Sequence, residues 1–211
     1  MPGASLLPIA IHKNKLYFLF GRDTGDTPGF ACFGGGIESH ETDIYQAALR
    51  EGAEELTGFL GDKPTLEKLV EQNGGCFPIC HHSNRGLYHA HLFRIPYEPL
   101  LPLFYKQNHD FLMKTMSKTH FSENKHLFEK EEIAWMTVQE MQNRSKEFRP
   151  FYRAIIEQIV ATLPSIKNFL KTTPEPSFHT SPQYPTTTKS KSTTPKNTKK
   201  HKKTRKTKNR K

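Results

Sequence analysis

Gly34-Gly35-Gly36-Ile37-Glu38-Ser39-His40-Glu41, followed after eight residues by Arg50-Glu51-Gly52-Ala53-Glu54-Glu55-Leu56-Thr57-Gly58, is the stretch on which the reading of this chain turns. From about Asp43 to Thr57 the composition is helical, with Ile44, Ala48 and Glu51, or Ala47 and Glu54, at turn spacing and Gly58 as a stop signal. On such a helix Glu51, Glu54 and Glu55 stand at i, i+3 and i+4, so three carboxylates project from one face within a turn. Like charges crowded in this way destabilise a helix unless a cation sits among them. A hard divalent ion suits the position, since Mg²⁺ takes a few carboxylates together with water and phosphate oxygens. Arg50 is adjacent and is placed to brace a carboxylate or a phosphate. An isolated E-x-x-E-E reads more simply as a solvated acidic face, and it is the context from 34 to 58 that sets this one apart.

In order and approximate spacing these residues resemble the Nudix box, G-x5-E-x7-R-E-U-x-E-E-x-G-U, where U is a bulky aliphatic residue. Gly35-x5-Glu41 and Arg50-Glu51-x-x-Glu54-Glu55 agree with it. Three departures stand out: eight residues separate Glu41 from Arg50 instead of seven, Gly52 replaces a bulky aliphatic, and Leu56-Thr57 puts two residues before Gly58. The extra residue is expected in the loop, which leaves the carboxylates in register and the role of Glu41 open. Gly52 in a helix interior costs about 1 kcal/mol relative to Ala, a cost that close helix packing would explain. The run 50–61 is similar to that of Nudix proteins of large DNA viruses, where Lys/Thr-rich tails are also at home.

The resemblance implies an α/β fold, an α/β/α sandwich around a mixed sheet, and hydrolysis of a pyrophosphate bond in a nucleoside diphosphate linked to another moiety. Mg²⁺ or Mn²⁺ would be the cofactor, because a metal-bound water is more acidic and the cation neutralises charge on the bridging oxygen. Carried over, Glu51, Glu54 and Glu55 are metal ligands and Arg50 orients a carboxylate. The backbone of Gly34, Gly35 and Gly36, with Glu41 and Arg22, belongs to the substrate loop. A general base outside the box is expected at Glu131 or Glu132, just before Trp135, with Glu132 the candidate; the plain alternative is an acidic turn.

Outward from the box, Leu6–Ile11 and Leu16–Phe20 read as two strands around a polar turn, and Leu87–Phe93 as a third. Thr65–Gln72 reads as a short helix, Ile133–Met136 as a brief strand followed by a turn of helix from Thr137, and 150–163 as a helix whose apolar stripe closes the domain. The expected division is a catalytic domain over 1–165 and a disordered Lys/Thr-rich tail over 166–211, since beyond about Thr172 Pro, Ser, Thr and Lys cannot bury enough apolar surface to offset ordering entropy.

Charge follows the same division. The net charge of +10 misleads, because 185–211 holds 12 Lys and Arg and no acidic residue, leaving 19 basic against 21 acidic residues before it. A tail of this kind neutralises phosphates, so nonspecific RNA binding or a nuclear address is expected of it, and capped RNA joins small pyrophosphate compounds among the substrates. Diphosphoinositol polyphosphates, and an inactive Nudix-like module that only binds nucleic acid, are the competing readings. Three cysteines, Cys32, Cys76 and Cys80, leave at least one unpaired and point to a reducing intracellular compartment, cytoplasmic or nuclear; the host cell of a large DNA virus is what the resemblance to viral Nudix proteins implies. Cys76-x3-Cys80 lacks further ligands at metal-site spacing and reads as two apolar strand residues, and His89 and His91, on one strand face without a third ligand, read as cross-strand or substrate-contact histidines. No membrane partner is expected, because no stretch approaches ~20 apolar residues and no basic segment precedes Leu6.

Overall fold

The structure is a computed structural model and describes residues 2–83, 86–117 and 128–179. The first two apolar runs form β1 (Gly3–His12) and β2 (Lys15–Asp23), antiparallel and joined by Lys13 and Asn14 at φ 48° and 61°. Two successive positive φ values give a hairpin turn whose twist matches that of its strands. Along one edge β1 pairs first with β4 (Phe33–Gly36) and then with β2; along the other it runs parallel to β6 (Gly86–Arg94). β5 (Cys76–Ser83) continues the sheet antiparallel to β6, while β3 (Gly29–Ala31) and β7 (Lys130–Thr137) flank β2. Among the described residues, a parallel pair inside an otherwise antiparallel set makes this seven-stranded sheet mixed.

Strand alternation sorts the apolar side chains onto two faces. On one, Ala4, Leu6, Leu19, Phe33, Phe93 and Ile133 pack against α1 (Ile44–Glu55), α2 (Lys63–Gln72) and α3 (Leu101–Thr115). A short α4 (Val138–Asn143), capped reciprocally by Thr137 and Glu140, leads on to the other layer. There Leu7, Ile9, Phe18, Phe20, Leu92 and Met136 pack against α5 (Tyr152–Ala161) and α6 (Leu163–Thr172). Two helical layers around a mixed sheet give the expected α/β/α sandwich.

Two features depart from expectation. α3 was not foreseen, because its apolar residues form no stripe: Leu101 and Tyr105 are buried, whereas Leu103, Phe104, Phe111 and Met113 stay exposed. The boundary at 165 falls inside α6. Pro164 occupies the first turn, where its missing N–H breaks no helical bond, so the chain continues and buries Ile166 and Leu170. Beyond α6, Arg94 donates to the Pro174 carbonyl at 2.8 Å, and the Asn73 side chain exchanges hydrogen bonds with the Ser177 backbone at 3.0 and 3.1 Å. The packed unit accordingly runs Met1–Thr180, and the first part of the expected tail is structured. The rest of that tail, 180–211, lies outside the described residues. Among the described residues no helix is long and apolar enough to cross a membrane.

Candidate active site

Helix α1 is launched by Asp43, whose carboxylate accepts the N–H groups of Tyr45 and Gln46 at 2.8 and 3.3 Å. The helix then lies along β4, with Glu51 over Gly35 and Glu55 over Gly34. A Cβ at position 35 would come within 2.7 Å of the Glu51 carboxylate oxygens, and the Gly34 N–H donates to Glu55 Oε2 at 2.6 Å. Gly52 faces β1, where a Cβ would approach Leu6 Cδ1 to 2.6 Å. Bare backbone at 35 and at 52 is thus what lets the acidic helix sit this close to the sheet.

Arg50 gathers the rim of the site. Its Nε and Nη2 donate to the two oxygens of Glu41, each at 2.9 Å, a fork that suits planar carboxylate recognition. Nη1 donates to Glu51 at 2.9 Å and lies 3.6 Å from Glu54, and Nη2 also reaches the Gly36 carbonyl at 3.2 Å. The extra residue before α1 is absorbed by a turn in which the Glu41 N–H donates to the Glu38 carbonyl at 2.9 Å, so Glu41 still reaches Arg50. Arg50 holds the Glu41 carboxyl down at about 2 and is itself pushed up. Burial raises Glu51, with Arg50 opposing the shift.

Glu55 stands apart from this rim. Its residue is 3% exposed, and its Oε2 lies 3.4 Å from Lys130 Nζ. Lys130 is buried too and donates to Asp23, whose other oxygen takes Arg149 Nη1 at 2.8 Å. Burial pushes Glu55 up to about 8, against the pull of Lys130 and of the Gly34 N–H. Desolvation works to lower Lys130, and the facing charges of Glu55 and Asp23 outweigh it. Tyr105 ties the elements together by donating to the Glu55 backbone carbonyl at 2.8 Å.

Among the residues expected from sequence, Arg50, Glu51, Glu54 and Glu41 come together beside Gly34–Gly36, with Glu55 one helical turn behind Glu51. Arg22 and Glu132 do not join them. They pair with each other at 2.7 Å across β2 and β7, on the face that carries Phe18, Phe20 and Met136, because strand alternation turns these even-numbered positions away from α1. Arg22 also reaches Glu147 at 3.2 Å and covers the Phe30 ring. Glu129, in the same acidic stretch, adds only a minor upward push on Glu51 and Glu55. Asp23, Lys130, Arg149 and Tyr105 were invisible in the sequence, since nothing local distinguishes them from surface residues. Cys32, Cys76 and Cys80 are free thiols, and Cys80 Sγ lies 3.2 Å from His89 Nδ1 across β5 and β6. Among the described residues no three His, Cys, Asp or Glu stand ready-made around one metal position.

Beside the glycine strand opens a cleft of about 350 Å³, lined by Gly3, Gly34–Gly36, His81, Tyr88, Arg149 and Phe151. Its floor is aromatic, with Tyr88 packed edge-on to Phe151 at 5.8 Å. A second cleft of about 340 Å³ is lined by Asp23, Thr24, Thr27, Glu129 and Arg149. Arg149 borders both.

No family model and no curated protein matches the chain. Solved structures do. A C. elegans Ap4A hydrolase is similar at 14% identity and a TM-score of 0.44, covering 78% of this chain and 98% of its own. A bifunctional NMN adenylyltransferase/ADP ribose pyrophosphatase from Francisella tularensis is similar at 16% and 0.45, over 76% of this chain and 40% of that one. For a NUDIX hydrolase from Nitrosomonas europaea the figures are 16% and 0.37, over 76% and 90%. At such identities and scores the likeness assigns no activity, and the reading of the site rests on its own geometry.

Proposed function

We propose that this chain is a Nudix-type pyrophosphohydrolase that cleaves a nucleoside diphosphate linked to another moiety, with Mg²⁺ or Mn²⁺ at the rim of α1. The observation that carries this reading is the Arg50 clamp, in which one guanidinium orders Glu41, Glu51 and Glu54 beside a backbone of bare glycines. The donor set fits a hard cation: Glu51 and Glu54 are carboxylates on the less buried face of the helix, held beside Arg50. Such a cation would take the rest of its coordination from water and phosphate oxygens. When bound it would polarise the pyrophosphate and acidify water. The protein's own part is to fix the carboxylates through Arg50, to admit phosphates against Gly34–Gly36, and to seat a planar group against Tyr88 and Phe151 with Arg149 at the entrance.

The test is a panel of pyrophosphate compounds, from dinucleoside polyphosphates and ADP-ribose to capped RNA and diphosphoinositol phosphates, with Mg²⁺ and with Mn²⁺. Metal-dependent turnover of at least one nucleotide is expected, and it should be abolished by Glu54→Gln, in which an amide replaces the charge. Wild-type rates in that variant would sink the assignment. Capped RNA is our preferred long substrate, supported by the 12 basic residues of 185–211, which would add phosphate contacts outside the cleft.

A further inference from the structure

Lys130 is a lysine whose side chain lies wholly inside the domain, 1% exposed, between Asp23 and Glu55. A buried ammonium is costly unless carboxylates pair with it, and its two partners are themselves 8% and 4% exposed. Arg149 holds the second oxygen of Asp23, so Asp23 is shared between two cations, and Glu55 is the other carboxyl that faces Lys130, at 3.4 Å. Lys130 is therefore enclosed by two acidic side chains, and Arg149, less buried than they are, steadies Asp23 from outside. The rim is different: among the described residues Arg50 is the cation that faces Glu41, Glu51 and Glu54 together. A divalent cation is drawn to the rim. At Glu55 it would sit beside a fixed ammonium in low dielectric, where like charges repel most strongly, and Glu55 Oε2 is already engaged by the Gly34 N–H.

We infer that Lys130 is a built-in cation of the site, which stands in for a metal at Glu55, confines the divalent ion to the rim carboxylates and leaves Glu55 to fasten α1 to the glycine strand. The inference rests on the proposed metal reading and adds that Lys130 is its positioning residue. Its test is Mn²⁺ binding to the full-length protein, with free Mn²⁺ followed by electron paramagnetic resonance and no substrate present. Glu54→Gln should weaken binding at least about tenfold, whereas Glu55→Gln should stay within about twofold of wild type at unchanged stoichiometry. Lys130→Met, which frees Glu55, should bind an additional Mn²⁺ per chain, and Lys130→Met/Glu55→Gln should lose it again. A loss in Glu55→Gln equal to that in Glu54→Gln overturns the inference while leaving the proposed function standing, as does a folded Lys130→Met with no additional ion. Should Lys130→Met fail to fold, the comparison of the two glutamine variants decides. Absence of any Glu54-dependent binding in the wild type would overturn the metal reading itself, and this inference with it.

Discussion

Glu41 and Gly52 show how single residues set this site. Glu41 ionises at about 2 in the folded chain because Arg50 grips both its oxygens, against an ordinary value of 4.5. A carboxyl depressed in this way contributes stability that is complete above 4.5 and is lost as pH falls through the folded value. Denaturant unfolding of wild type and Glu41→Gln should therefore show a wild-type advantage near pH 6 that shrinks steadily toward pH 3; an advantage independent of pH would mean that the pair is not an ion pair. Gly52 gives the opposite of the usual helix rule. Replacing a helix-interior glycine by alanine ordinarily gains about 1 kcal/mol, but here the new methyl meets Leu6. Gly52→Ala should lower stability by about 1 to 3 kcal/mol, the range for overpacking, and a gain in midpoint would show that β1 has room to yield.

At the scale of elements, the relation between α1 and β4 makes the site, and α6 closes the layer behind it. One strand presents Gly34 and Gly35 to Glu55 and Glu51 in turn, so a helical i, i+4 pair is matched to successive residues of a strand. The acidic periodicity of α1 was legible from spacing alone, as were its start at Asp43 and its end near Gly58. Legibility failed where a helix does not advertise an apolar stripe, as in α3, or where the chain turns helical again past the expected end at 163, as in α6. Ile166 measures the cost of that second error. It is fully buried against the sheet, so Ile166→Ala should cost about 2 to 5 kcal/mol. Chemical denaturation checks this, and a change under about 0.5 kcal/mol, typical of surface sites, would return 166–179 to the tail.

The whole molecule combines a domain near charge balance with a basic C-terminal segment. Deleting 181–211 removes all 12 basic residues of 185–211 and leaves the packed unit intact, whereas a cut at 172 would also strip the Asn73–Ser177 and Arg94–Glu175 contacts. On a small nucleotide substrate the deletion should leave kcat unchanged, since among the described residues none of the rim or the cleft lies beyond 151. On long RNA it should raise KM and flatten the salt dependence, because fewer counterions are released on binding. An unaltered RNA affinity and salt slope would make the segment an address signal instead of a binding arm.

By itself the sequence determined the carboxylate spacing, the glycine loop, the strands around the first hairpin and the separation of basic charge into the C-terminal part. Each of these is a local property, fixed by turn periodicity, backbone freedom or composition over a few residues. Only the tertiary structure decided that Glu41 still reaches Arg50 across an extra loop residue, that Glu132 points to the wrong face, and that Glu55 is paired with Lys130. These outcomes depend on the register of β7 against β2 and on the stacking of α1 over β4. Residues as far apart as Asp23, Glu55 and Lys130 meet in a dry interior where their charges must balance, and no pattern along the chain encodes a meeting of that kind.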